Sequence, residues 1–246
     1  MQTRSFKIDQ QWQMIHEPDR PNGFGLLIIG DVNNYVNEYQ SLWTQNEQRL
    51  NLLSKLVEQG YTVFYSNLMG RQWGSPDAIN FISKIFKWVS KDCTLNPNYH
   101  VLAEGTGAIT ALMLTQQHPS SIRSLAFINP CLDLEQQLNH AKKSRLLYDS
   151  LETEIADAYY VEHYEDLHKL IREERNLQDY DQCHPIAIWH DIRHFHYPID
   201  IHSRNFEKIC KEKNIPLELK ISMDDQPFAR EEGLKHFFNK HESVLN

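Results

Sequence analysis

Short apolar runs alternate with longer stretches of helical periodicity along most of the chain. The runs are GLLIIG (25–30), YTVFYSN (61–67), HVLAEG (100–105), SLAFINP (124–130), PIAIWH (185–190) and LELKIS (217–222). Between and after them, helical spacing predicts helices over 47–59, 76–89, 108–118, 201–213 and 230–241. Gly60 and Pro119 stop two of these, and Pro76 opens another in the first turn, where its missing N–H costs nothing. Ahead of the first run, residues 6–8 and 12–15 read as a hairpin turned by EPDRPNG. The pattern predicts an α/β fold with a mostly parallel twisted sheet of about eight strands flanked by helices.

One segment breaks the alternation. Residues 132–182 are charged and tyrosine-rich, carry helical spacing at Tyr160, Tyr164, Leu167, Leu170 and Ile171, and offer no strand. They read as a helical cap inserted into a single domain spanning 1–246, since composition shifts nowhere else. A net charge of -8, with the acidic residues scattered, opposes nucleic acid or anionic lipid as a partner, because both need concentrated Lys and Arg. No apolar run reaches the roughly 18 residues that span a bilayer, and the first residues lack the core of a signal peptide, so no membrane association is expected. Cys93, Cys131, Cys183 and Cys210 stand far apart without a C-x-x-C, which predicts reduced thiols and a cytoplasmic location.

The stretch HVLAEGTGAITALML (100–114) reads as a buried strand that breaks at small residues and restarts as a helix. In this order of elements AEGTG resembles the nucleophile turn of the α/β-hydrolase superfamily, with Ala103 and Gly107 as its small flanks. LLIIGD is similar to the strand and turn that carry an oxyanion donor, and NLMGRQWGS to the family's D-x-x-G-x-G-x-S. SLAFINPCLDL is similar to the strand before the cap, and PIAIWHDIRHFHYP to the strand and loop that bear the acid. The resemblance runs over about residues 6–242, towards esterases and the catalytic domains of prolyl-oligopeptidase-type peptidases.

The chemistry implied by that resemblance needs a hydroxyl, a histidine that deprotonates it and an acid that orients the imidazole. The matching positions are Gly105, Gln226 (or Asp225) and His194, so all three groups are replaced. No histidine lies between Ser203 and Lys235, and Thr106 is the only hydroxyl between Tyr99 and Ile109. Asp191 and Asp133 remain as acids, but an acid alone does nothing for acyl transfer. Glycine at the apex also relieves a strained backbone position.

The crevice outside the strand C-termini is where open α/β sheets bind ligands. Its expected lining is Asp31, Val32, Asn33, Glu104, Gly105, Thr106, His194, Asp225 and Gln226. His190, His194 and His196 sit within seven residues, a spacing able to ligate Zn²⁺ or Cu²⁺ with Glu104, Asp224 or Asp225; in a chain with 13 histidines the plainer reading is loop and packing roles. Phe81, Phe86 and Trp88 read as packing, LIREERNLQDYDQ as a solvated helix end, and Tyr159, Tyr160 and Tyr164 as cap residues that pack against the body or face the crevice or a partner chain, which leaves a homodimer open. No metal or cofactor is expected. The sequence thus predicts an α/β-hydrolase-fold protein without serine-hydrolase activity that binds a small molecule or a protein at the old crevice. The alternative is a working esterase or peptidase that uses Thr106 or is metal-assisted by the His190, His194 and His196 loop.

Overall fold

The protein is described here by a computed structural model covering residues 1–223 and 231–242. The chain opens with β1 (Gln2–Ile8) and β2 (Gln11–Glu17), followed by β3 (Gly25–Ile29), α1 (Leu42–Gln45), α2 (Glu47–Glu58) and β4 (Thr62–Ser66). Next come α3 (Pro76–Asp92), β5 (Tyr99–Glu104), α4 (Gly107–Gln117) and β6 (Ile122–Ile128). Three helices, α5 (Leu134–Ala141), α6 (Arg145–Tyr159) and α7 (Tyr164–Glu174), precede β7 (Ile186–Asp191); α8 (Ser203–Glu212), β8 (Leu217–Ser222) and α9 (Glu231–Lys240) complete the order. The strands form one sheet in the order β1-β2-β4-β3-β5-β6-β7-β8. It is mixed: β1 pairs antiparallel with β2, β2 antiparallel with β4, and the remaining pairs are parallel.

The apolar runs are continuous because the central strands are covered on both faces, and successive residues supply opposite cores. Leu27, Ile29, Val101, Ala103, Leu125, Phe127 and Ile188 face a core shared with Ile82 and Ile85 of α3, Leu112 of α4 and Phe206 of α8. The alternate residues Leu26, Ile28, Leu102, Ala126, Ile128 and Trp189 meet Leu53 and Leu56 of α2 and Phe237 and Phe238 of α9. Helix α4 is buried nearly all round, as a helix with no polar face must be.

Two expectations need correction. The hairpin turns at Asp9 and Gln10, both at positive φ (46° and 64°), which is the two-residue geometry that matches strand twist; EPDRPNG instead links β2 to β3. The run LIREERNLQDYDQ is not simply solvated, because Leu177 and Tyr180 are buried, Tyr180 edge-on to Phe206. Phe81 is core, Phe86 packs on Tyr99, and Trp88 stacks on Phe6 with ring centroids 3.8 Å apart. Among the described residues, no helix is long and apolar enough to cross a membrane.

Candidate functional site

The C-terminal ends of β3, β5, β6 and β7 converge on Gly105, which follows β5 and precedes α4. The flanks explain the small residues there: Ala103 is fully buried, and α4 presses so close that a Cβ on Gly107 would collide with Ile29 O and lie 2.9 Å from Gly30 O. Gly105 sits at φ +53°, in the left-handed region, and its backbone is pinned by Gly105 N donating to Ile128 O (3.2 Å) and Cys131 N donating to Gly105 O (2.9 Å).

The carboxylate of Asp31 lies directly over this apex. A Cβ on Gly105 would fall within 2.6 Å of Asp31 Cγ, Oδ1 and Oδ2. Asp31 Oδ1 accepts three hydrogen bonds, from Thr106 N (3.0 Å), Thr106 Oγ1 (3.0 Å) and Tyr197 Oη (2.9 Å). Burial, and then the charge of Asp31, push the Tyr197 phenol upward, so it stays a donor. Val32 packs under the α5–α7 helices, and Asn33 is exposed.

Glu104, at the end of β5, forms a two-pronged ion pair with Arg49 of α2, in which Arg49 Nε donates to Glu104 Oε2 at 3.1 Å and a second guanidinium nitrogen meets Oε1. Desolvation raises the Glu104 pKa, Arg49 opposes the rise, and the charge of Asp31 adds to it. Side chains of the α5–α7 helices cluster with Trp73, Ile109, Cys131 and Tyr197, so the roof of the apex is apolar. Surface clefts of about 490 Å³, beside Thr153, Asp157 and Tyr164, and about 360 Å³, beside Arg71, Asp77 and Glu154, do not reach Asp31 or Gly105.

His194 follows β7 and is half-buried, stacked on Tyr197 with centroids 5.5 Å apart. Its Nδ1 accepts from Tyr197 N at 3.4 Å, and desolvation lowers its pKa, with His196 acting in the same direction. His190 spends both ring nitrogens, Nε2 donating to Tyr197 O (3.0 Å) and Nδ1 meeting Ser203 Oγ (2.7 Å). Among the described residues, no three of His, Cys, Asp or Glu gather to hold a metal ion. Asp191 binds Arg193, and Asp133 caps α5 by accepting from Gln136 N at 2.9 Å. Asp224, Asp225 and Gln226 lie outside the described residues.

The structure thus brings together Asp31, Glu104, Gly105, Thr106 and His194. Sequence reasoning missed Tyr197 and Arg49: the only signal for the first was an aromatic directly before Pro198, and the second sits on a surface-like helix far from the turn. Gly105→Ser should cost about 3 kcal/mol, adding left-handed strain to the displacement of Asp31 from its hydrogen bonds. In an Asp31→Gly background the same change should cost only about 1 kcal/mol, because the collision is gone. Urea midpoints of the four proteins in the cycle check this.

The α/β hydrolase fold family matches residues 40–158, a span that includes the Gly105 turn and ends before His194. The acylaminoacyl peptidase of Pyrococcus horikoshii superposes with a TM-score of 0.72 at 11% identity, over 100% of this chain and 42% of that one. Est1E from Butyrivibrio proteoclasticus gives 0.66 at 13%, over 99% and 100%, and an esterase of Pyrococcus furiosus 0.66 at 12%, over 98% and 90%. The chain therefore spans about two fifths of the peptidase and nearly all of each esterase. No curated protein matches by sequence. At such identities the likeness is one of fold.

Proposed function

We propose that this chain, an α/β-hydrolase-fold protein, performs no acyl transfer and serves as a binding protein whose recognition surface is built from the strand C-termini and the α5–α7 helices acting as a cap. One observation carries the reading: the volume that a nucleophile side chain would fill above Gly105 holds the Asp31 carboxylate, which also takes the Thr106 N–H. That N–H has the position of an oxyanion donor, and a carboxylate bonded to it opposes the negative charge that develops in acyl transfer. His194 at the acid position, stacked on Tyr197, supports the same reading.

The Thr106 hydroxyl paired with Asp31 is the observation that favours a second reading, a threonine nucleophile with a carboxylate base. It is the weaker one. Thr106 is buried, and its base stands where the scissile carbonyl would have to enter. The purified protein should therefore give no turnover of short-chain p-nitrophenyl esters above buffer, and no labelling by a fluorophosphonate probe. Stoichiometric labelling lost in Thr106→Ala would establish the second reading instead. All four cysteines are free, which supports work in a reducing compartment such as the cytoplasm.

A further inference from the structure

We propose that the outer edge of β8 is a self-complementary docking surface, to which a second copy of this chain adds its own β8 antiparallel, with the two-fold axis at Leu219. The inference is independent of the non-catalytic reading and concerns a different part of the fold.

β8 ends the sheet, and among the described residues it pairs only with β7. Pro216 O and Ser222 O accept from Ile186 N and Ile192 N, so by alternation the main chain of Leu217, Leu219 and Ile221 points away from β7. No group among the described residues satisfies those outward N–H and C=O groups. Such a row is a template for another strand. Apolar side chains stand beside it: Ile221 is 49% exposed, Met223 69%, and Ile192, whose N–H reaches Ser222, 40%.

The charges say what covers this edge. Glu218 and Lys220 share the α9 face, where Lys220 Nζ sits 4.5 Å from the Trp189 ring centre and 3.4 Å from Glu218, and Lys240 donates to Glu218 at 3.2 Å. A lysine on an edge strand ordinarily discourages pairing. A glutamate two residues before it reverses this in one register. With the axis at Leu219, Glu218 stands opposite the second copy's Lys220, and Lys220 opposite its Glu218, so the two charged pairs attract. A slip of two residues either way sets Glu218 against Glu218 or Lys220 against Lys220, and like charges directly opposed repel.

That register also suits the backbone and the other face. The outward groups become hydrogen-bonded pairs, Leu219 with Leu219 and Leu217 with Ile221. The exposed Ile221 is then covered by the second copy's Leu217, on the face where Leu217 and Leu219 already pack towards the core that holds Phe206 of α8. Main-chain groups, charge and apolar cover agree on one arrangement, and its occupant is the chain itself. Because the two β8 strands run antiparallel, the strand C-termini of the two copies face opposite ways and both recognition surfaces stay open.

The test uses the full chain. Sedimentation velocity of the wild type at about 100 µM should show a dimer that dissociates on dilution towards about 1 µM, as a small interface does. Hydrogen exchange over residues 217–222, read by mass spectrometry, should be slower at the higher concentration. Glu218→Lys and Lys220→Glu should each weaken the dimer about tenfold or more, because each sets two like-charged pairs across the axis. Mixed in equal amounts, the two variants should associate again, since every lysine of one chain then faces a glutamate of the other. Neither residue is buried, so both variants should keep the wild-type circular dichroism. Should either lose it, the double change Glu218→Lys with Lys220→Glu in one chain keeps both charges and should dimerise as the wild type does. The proposal is overturned if the wild type stays monomeric at about 100 µM, if exchange over 217–222 is the same at both concentrations, or if neither the mixture nor the double variant dimerises better than the single variants.

Discussion

Between pH 7 and pH 5 the protein should lose about 5 kcal/mol of its unfolding free energy, a loss set chiefly by three histidines. His16, His100 and His202 are fully buried, and desolvation takes His16 down to about 4 and His100 and His202 down to about 3. Each sits in a ready-made neutral network: His16 between Thr3 and Tyr65, His100 beside Ser124, His202 between Leu132 N and Gln137. The unfolded chain binds protons at these rings below about pH 6.5, whereas the folded chain does not until near pH 3 to 4. In that window the unfolded state holds more protons, so stability rises with pH and is lost as pH falls. Glu104 and Asp133 work against this trend, because burial raises their folded values and the native state protonates first. Urea denaturation at half-unit pH steps should show the slope steepening below pH 6.5, with about three protons taken up on unfolding near pH 5. A flat profile between pH 7 and pH 5 would mean that these rings are protonated in the fold.

Gly107→Ala should cost about 4 kcal/mol or more, the heaviest penalty for a single added methyl in this chain. What the methyl meets is backbone, Ile29 O and Gly30 O, which cannot rotate away as a side chain can. To make room, α4 must lift from the end of β3, which loosens Ala108, Ala111 and Leu112 against the central strands and shifts the Thr106 N–H. Gly233→Ala is the control. There the new Cβ meets only the Trp189 ring, at 3.3 Å, so the gain in helix propensity, about 1 kcal/mol, offsets the contact. Thermal melts of the two variants should move apart, with Gly107→Ala melting far lower or expressing as insoluble protein.

Strands β3 to β7 and the helices between them were legible because burial on both faces leaves a continuous apolar run, and a helix must carry its own stop signals; β8, at the sheet edge, is only half-buried. The hairpin turn was misplaced because EPDRPNG has the richer turn composition, while Asp9 and Gln10 adopt left-handed backbone without a glycine to announce it. At the site, its position just after the run GLLIIG placed Asp31 in the crevice but could not place its carboxylate over Gly105. That depends on the rotamer of a side chain just after β3, on the missing Cβ of the residue that follows β5, and on a phenol after β7, three distant segments that only the folded sheet brings within hydrogen-bond reach. Of the three clustered histidines, His190 has both ring nitrogens engaged, by Tyr197 O and Ser203 Oγ, which spacing along the chain could not reveal.

The strand order sets a timetable for synthesis. β3 emerges before β4 and pairs with it, and only then does the waiting hairpin β1–β2 find its antiparallel neighbour. The other side of β3 stays open until β5 leaves the ribosome, after α3 has been made. From β5 onward each strand docks beside the one before it, through β6 and β7 to β8. A nascent chain arrested before residue 99 therefore shows an apolar strand edge at what will become the centre of the sheet, the stage at which pairing with another chain competes best with folding.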